Sequence, residues 1–392
     1  MKILFLTFYF EPDLSAGSFR NTSLFKELLN HLNDDDTLEV ITTHPNRYDS
    51  FKAKAKDKEG IKKGVVVNRI KIPEHGSGII GQIKSYKEFY FRALNLTKDK
   101  KYDLVYASSS RLFTAYLGAK IARKKKAKLY LDIRDIFRET ITDLYKNKII
   151  NLGLNLVLKP VENYTFGRAG HINLVSKGFK GYFENYKKAE YSFFTNGIDE
   201  LFLSLPIDNI EEKKSEVKTI IYGGNIGEGQ GLDLIIPDIA KKLSRTHKFQ
   251  IIGDGGAREK LEEKLKVNNI ENVEMIPPVS RNELINYYQK ADYLFLHLNK
   301  HKAFERVLPS KLFEYGTFNK PIIAGVDGYA KQFLKENMSN LILFEPTNAD
   351  ELYNSLTNFG YKNEERIQFK KNYSREEINK RMTKSIISFG ND

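Results

Sequence analysis

The chain of 392 residues contains no cysteine and no tryptophan, only 11 prolines and 4 methionines. Without cysteine, structural disulfides, zinc-thiolate centres, iron–sulfur clusters and cysteine nucleophiles are excluded. Long apolar runs are missing too. The longest nearly charge-free stretch, Ile149 to Leu158, is about half of the ~20 residues that a spanning helix requires. The opening MKILFLTFYFEPD ends its apolar run at Glu11-Pro12-Asp13 and has no small-residue cleavage site. These absences lead us to expect a cytoplasmic protein. No three of the seven histidines show a metal-binding spacing, and His171 and His297, in apolar segments, read as core positions.

What is present is ordinary for a globular protein: 41% hydrophobic, 12% aromatic and 29% charged residues, over a length that suits two or three domains. The net charge of +13 is unevenly placed. Residues 1–200 hold 35 Lys and Arg against 23 Asp and Glu, whereas the remainder holds 28 against 27. A basic first half faces a polyanion, or is a surface kept for solubility.

Short β-branched and aromatic runs alternate with helical periodicity along the whole chain, which predicts parallel sheets covered by helices. Thirteen strands are expected, starting at Lys2, Leu38, Val65, Leu104, Leu129, Ile172, Tyr191, Thr219, Phe249, Val273, Tyr293, Pro321 and Leu341. One open sheet does not comfortably hold so many. We expect two doubly wound domains, 1–200 and 218–372, joined by a linker at 201–217, with a last helix at 373–392 packing back on the first domain.

In such sheets ligands bind beyond the carboxyl ends of the strands. After the first strand, Ser15-Ala16-Gly17-Ser18 opens a helix, a turn suited to a phosphate or simply capped by serine. Tyr222-Gly223-Gly224-Asn225-Ile226-Gly227-Glu228-Gly229-Gln230-Gly231 and Ile252-Gly253-Asp254-Gly255-Gly256 follow two later strands. Such glycine content points to close approach of a ligand. Neither loop has the spacing of a dinucleotide fingerprint or a P-loop. In Arg306-Val307-Leu308-Pro309-Ser310-Lys311-Leu312-Phe313-Glu314, Pro309 and Ser310 mark a helix start and Lys311 adds a cation for an anion. Glu314, one turn on, suits ribose hydroxyls. A capped surface helix fits the same residues.

Taken together, SAGS, GGNIGEGQGL, IIGDG, LPSKLFEYGTFNKP, LDIRDIF, TNGID and LFEPTNADEL resemble glycosyltransferase family 4, of the retaining GT-B type found in bacterial surface-glycan assembly. The resemblance covers nearly the whole chain. It implies two Rossmann-like domains facing each other across a cleft and a nucleotide-diphosphate-sugar, commonly a UDP-sugar, as co-substrate, with no metal and no other cofactor. It also implies a polyprenyl-diphosphate-linked saccharide as acceptor. Gly17, Gly224, Asn225, Gly227, Gly253, Pro309 and Ser310 would meet the donor phosphates, and Glu314 the ribose. The chain departs from the family in three places. Arg306 stands where the first Glu of the E-x7-E signature is expected, with Glu305 one position off. Asn225 and Gln230 replace a cationic pair. Asp132-Ile133-Arg134-Asp135 replaces a histidine-bearing loop. We therefore expect Arg306 and Lys311 to supply positive charge, and Arg134 and Asp135 to line the cleft unless they form a structural pair.

The segment Ile83–Lys98 places Ile83, Tyr86, Phe89, Tyr90, Ala93, Leu94 and Thr97 on one helical face and Lys84, Lys87, Arg92 and Lys98 around the other. This is the pattern of a helix lying on an anionic membrane, and equally of one covering a sheet. Basic clusters at 52–58 and 123–126 favour a peripheral position on the inner face of the plasma membrane. Nucleic-acid binding is the competing class, but no helix-turn-helix, zinc-finger or RNP-type pattern is present. A transferase with a soluble or protein-linked acceptor also fits the sequence, as does an inactive glycan-binding protein of the same fold.

Overall fold

The computed structural model describes residues 1–46, 54–73, 79–109, 112–144, 148–205 and 216–392. It divides into two units, Met1–Asn196 with Arg375–Asp392, and Gly197–Ser374.

Among the described residues the first unit holds eight strands: β1 (Lys2–Leu6), β2 (Thr37–Thr43), β3 (Lys58–Lys62), β4 (Val65–Ile70), β5 (Leu104–Ser108), β6 (Lys128–Ile133), β7 (His171–Leu174) and β8 (Glu190–Ser192). Their order is β3-β4-β2-β1-β5-β6-β7-β8, parallel throughout except at β3. β1 pairs through Ile3 with both Leu38 and Leu104. Burial on both faces is why this strand reads as the continuous run ILFL. Helices that cover the sheet include α1 (Ala16–Leu29), α2 (Ile79–Leu96), α3 (Leu112–Lys125), α4 (Phe137–Leu144) and α5 (Lys148–Phe166). The last helix, Arg375–Asn391, packs on α1, with Met382 and Ile386 in one cluster with Leu24, Phe25 and Leu28.

β3 is the strand that pattern reading does not find. Its KEGIK side chains are almost all exposed, so no alternation of apolar residues announces it. Its ladder to β4 forms across a turn at Gly64, whose φ of 77° favours glycine. As a charged edge strand it protects the sheet from pairing with another chain.

In α2, Phe89 and Ala93 are buried, as is Thr97 just after it. Phe89 meets Phe8, Tyr86 meets Phe113, and Tyr90 stacks on Tyr116. The apolar face therefore covers the sheet and α3, and of the residues expected on it only Ile83 is strongly exposed, at 62%. No helix among the described residues is long and apolar enough to cross a membrane.

The second unit holds β9 (Lys218–Gly223), β10 (His247–Ile252), β11 (Val273–Ile276), β12 (Tyr293–His297), β13 (Ile322–Gly325) and β14 (Leu341–Phe344), all parallel, in the order β11-β10-β9-β12-β13-β14. The strand order reverses between β9 and β12, which makes the mouth of β9 the switch point where ligands bind. Apolar clusters fill both faces of this sheet. Packing of this unit begins ahead of the expected boundary at 200. Asp199 caps the turn Glu200–Leu203 through the Leu201 N–H, and Phe202 is buried in the core. Residues 206–215 of the expected linker lie outside the described residues.

Candidate functional site

The loops after β9 and β10 lock together by backbone hydrogen bonds: the Gly224 N–H donates to the Ile252 carbonyl at 2.8 Å and the Ile226 N–H to the Asp254 carbonyl at 2.8 Å. Gly253, at φ 141°, lies so close that a Cβ there would overlap the Gly224 carbonyl, and a Cβ on Gly224, at φ 143°, would overlap Lys311 Nζ. Their positive φ, and for Gly253 the neighbouring backbone, give these glycines a structural reason of their own beside the ligand approach expected from the sequence.

Lys311 lies half-buried at the start of the short helix Lys311–Tyr315. Pro309 and Ser310 precede it as expected, but Ser310 makes no side-chain cap, and with little more than one turn the dipole is small. Charge at this point comes from the lysine itself. Its Nζ sits 4.7 Å from the centre of the Tyr222 ring. Burial pulls its pKa down to about 8, with the Glu314 charge opposing. Glu314 is half-buried one turn along. Lys311, Gly224 and Glu314 thus share the mouth of β9.

The loop polarity is supplied by amides. Asn225 Nδ2 donates to Gln230 Oε1 at 2.7 Å, and the Gly227 N–H donates to the same oxygen at 3.2 Å. The two residues that stand in for a cationic pair therefore bind each other and shape the turn. His297 ties this loop to the next one. Its Nδ1 is 2.6 Å from the Gln230 carbonyl and its Nε2 accepts from the Thr347 N–H at 2.9 Å. Burial pulls its pKa down to about 4, so it is neutral, a core position as its apolar strand indicates. Arg306 ends the short helix Lys302–Arg306 half-buried, while Glu305 is exposed. Phe304 of the same helix would meet a Cβ on Gly229.

In the first unit, Gly17 follows Ser15, which caps α1 by accepting from the Ser18 N–H at 3.1 Å. A Cβ on Gly17 would lie 3.2 Å from Arg134 Nη1. That nitrogen is buried without a hydrogen-bond partner among the described residues. Burial and the charge of Arg20 pull the Arg134 pKa down to about 10, against Asp132. Asp135 turns to its own helix. Its carboxylate accepts from the Thr140 hydroxyl at 3.0 Å, and burial raises its pKa, countered by Thr140 and the Ile136 N–H. Among the described residues Arg134 and Asp135 form no ion pair with each other.

The structural pair of this region is one that sequence reading missed. Arg20 Nε and Nη2 donate to the two Asp132 oxygens at 2.9 and 3.0 Å, and Tyr106 and Asn173 donate to the same carboxylate. Arg20 also donates to the Phe194 and Thr195 carbonyls. Burial raises the Asp132 pKa, but Arg20, Arg134 and Asn173 together carry it below the usual carboxylate range. Separated by 112 residues, the partners leave no local signal. Their network sets the base of the loop that presents Arg134.

Residues 206–376 match the family described as glycosyl transferases group 1. A putative colanic acid biosynthesis glycosyl transferase of Escherichia coli, WcaI, is 35% identical over 95 residues, covering 24% of this chain and 23% of that protein. The match thus spans about a quarter of that curated relative's length. Two solved structures resemble the full chain. WaaG, a glycosyltransferase involved in lipopolysaccharide biosynthesis, has a TM-score of 0.62 at 16% identity, covering 100% of this chain and 98% of its own. Anabaena HepE in complex with UDP has a TM-score of 0.60 at 14% identity, covering 100% and 98%. Residues 206–376 are therefore similar to glycosyl transferases group 1, on a chain whose two parallel-sheet units have the GT-B fold.

Proposed function

We propose that the chain is a retaining glycosyltransferase that moves a sugar from a nucleotide-diphosphate-sugar, with UDP-sugars as the leading donors, to a lipid-diphosphate-linked saccharide in bacterial surface polysaccharide assembly. The observation that carries this reading is the half-buried ammonium of Lys311 against Gly224 at the switch point of the second sheet. The UDP complex of HepE and the glycan roles of WcaI and WaaG support it.

In the reaction, the bond from the sugar's anomeric carbon to the β-phosphate oxygen breaks, and its electron pair leaves with the diphosphate. The acceptor oxygen bonds to the same face of that carbon and gives its proton to the departing phosphate oxygen. The protein's task is to hold the growing negative charge. Lys311 carries that role, with the N–H groups of the glycine loops and the Arg306 charge. Pro309 and Ser310 position Lys311, and Glu314 binds the ribose hydroxyls. Asp135 holds the loop that carries Arg134. The acceptor belongs with the basic first unit, at the cytoplasmic face of the membrane.

The first test is the melting temperature with UDP, GDP, ADP or no ligand. At about 100-fold excess over its Kd the matching nucleotide stabilises by about 2.7 kcal/mol. We expect UDP to shift the transition, and to do so in EDTA, because the chain's own side chains carry the positive charge. A shift with GDP alone reassigns the donor, and no shift with any nucleotide overturns the reading.

The same shift has a defined pH dependence. The diphosphate needs the charged lysine, and burial has brought Lys311 to about 8 in the free protein. Bound phosphate raises that pKa again, so affinity is flat below pH 8 and falls as pH rises beyond it. A UDP titration across this range checks the slope. Lys311→Arg, which stays charged, should flatten it.

A further inference from the structure

α5 presents an apolar row to solvent: Ile149, Leu152, Leu156 and Val157 are 82, 64, 69 and 63% exposed, on one face at helical spacing. Its opposite face is firmly held. Leu158 and Phe166 are buried, and Arg138 of α4 donates to both Glu162 and Asn155. The row is therefore the outer surface of a packed helix. Four large aliphatic side chains in one stripe form the kind of patch that marks an interaction site.

Charge indicates the partner. α2, α3 and α5 form one layer, linked by the rings of Tyr90, Tyr116 and Tyr164. Its exposed cations include Lys84, Lys87, Lys120, Arg123, Lys124 and Lys159. Among the described side chains of these helices no exposed one is acidic, and half-buried Glu88 is tied to Arg92. An acid-free apolar stripe among cations complements an anionic lipid surface, with the aliphatic groups entering the acyl boundary and the ammonium groups meeting phosphates.

We infer that the first unit docks on anionic bilayers through the 149–157 face of α5, assisted by the cations of α2 and α3. This rests on the membrane-borne acceptor proposed above, and it transfers the apolar contact from α2, whose face is spent on the sheet, to α5. The test is cosedimentation of the full chain with vesicles of phosphatidylglycerol and phosphatidylcholine. The wild type should bind and weaken as salt rises. Leu152→Asp with Leu156→Asp should lower partitioning by at least about tenfold, and Ile83→Asp should change it little. The substituted leucines are exposed, so the UDP melting shift should survive and report the fold and donor site separately. A wild type that shifts with UDP but ignores the vesicles overturns the docking alone. So does a double variant that binds as the wild type does. A wild type that ignores vesicles and becomes monomeric only on substitution shows that a second copy covers the stripe, which also overturns it. Vesicle binding without any nucleotide shift keeps the docking and overturns the donor reading.

Discussion

Lys311→Ala is expected to lower kcat/KM by ~10²–10³, the usual loss when one preorganised group facing developing charge is removed. The reason is local. Lys311 Nζ is lodged between Gly224 and the Tyr222 ring, where burial costs the ammonium enough to bring its pKa to about 8. The Tyr222 ring and the Glu314 charge offset only part of that cost, and an arriving anion would offset more of it. The uncharged alanine should also relieve that desolvation and raise the melting temperature of the free protein slightly, while the UDP-induced shift shrinks. Initial rates of nucleotide release and the two melting curves check both halves. A variant within about threefold of wild-type kcat/KM has kept nearly all of the stabilisation that one such group supplies, and would remove Lys311 from the site.

The second large effect concerns stability. Asp132→Ala leaves the Arg20 guanidinium, 1% exposed, without its carboxylate in the base of the first unit. Breaking one side of such a buried pair costs ~3–5 kcal/mol. Phe194 and Thr195 carbonyls still accept from Arg20, which argues for the lower end. Because the Asp132 pKa is held below its unfolded value, its contribution is complete above the ordinary carboxylate range and fades as pH falls through the folded pKa. Calorimetry should show the wild type losing this increment in acid, and the variant lacking it at neutral pH. A loss below about 1 kcal/mol would mean that the pair does not repay its desolvation.

Much of the architecture is legible because its signals are local. β4, β11 and β14 start where the sequence predicts them, because short β-branched and apolar runs are a local signal, and this holds even for β11 and β14, which form the edges of their sheet. Pro309, Ser310 and Lys311 stand at a helix start for the same kind of reason. β3 escapes pattern reading because edge strands are selected for charge, and its residues 58–62 overlap a basic cluster. The amphipathic pattern of α2 fits a membrane face and a sheet-covering face equally well. Phe8, Phe113 and Tyr116 decide between them, and they come from segments outside α2.

From sequence alone came the two parallel-sheet series, the charge asymmetry, the absence of thiol chemistry and the positions of the glycine-rich loops. All of these depend on composition or on neighbours within a few residues. Only the tertiary structure decided why the glycines are needed, which arginine and aspartate pair, and which helix keeps apolar groups in water. Each of those is set by contacts between segments tens to hundreds of residues apart, where burial, rather than local propensity, determines what a side chain meets.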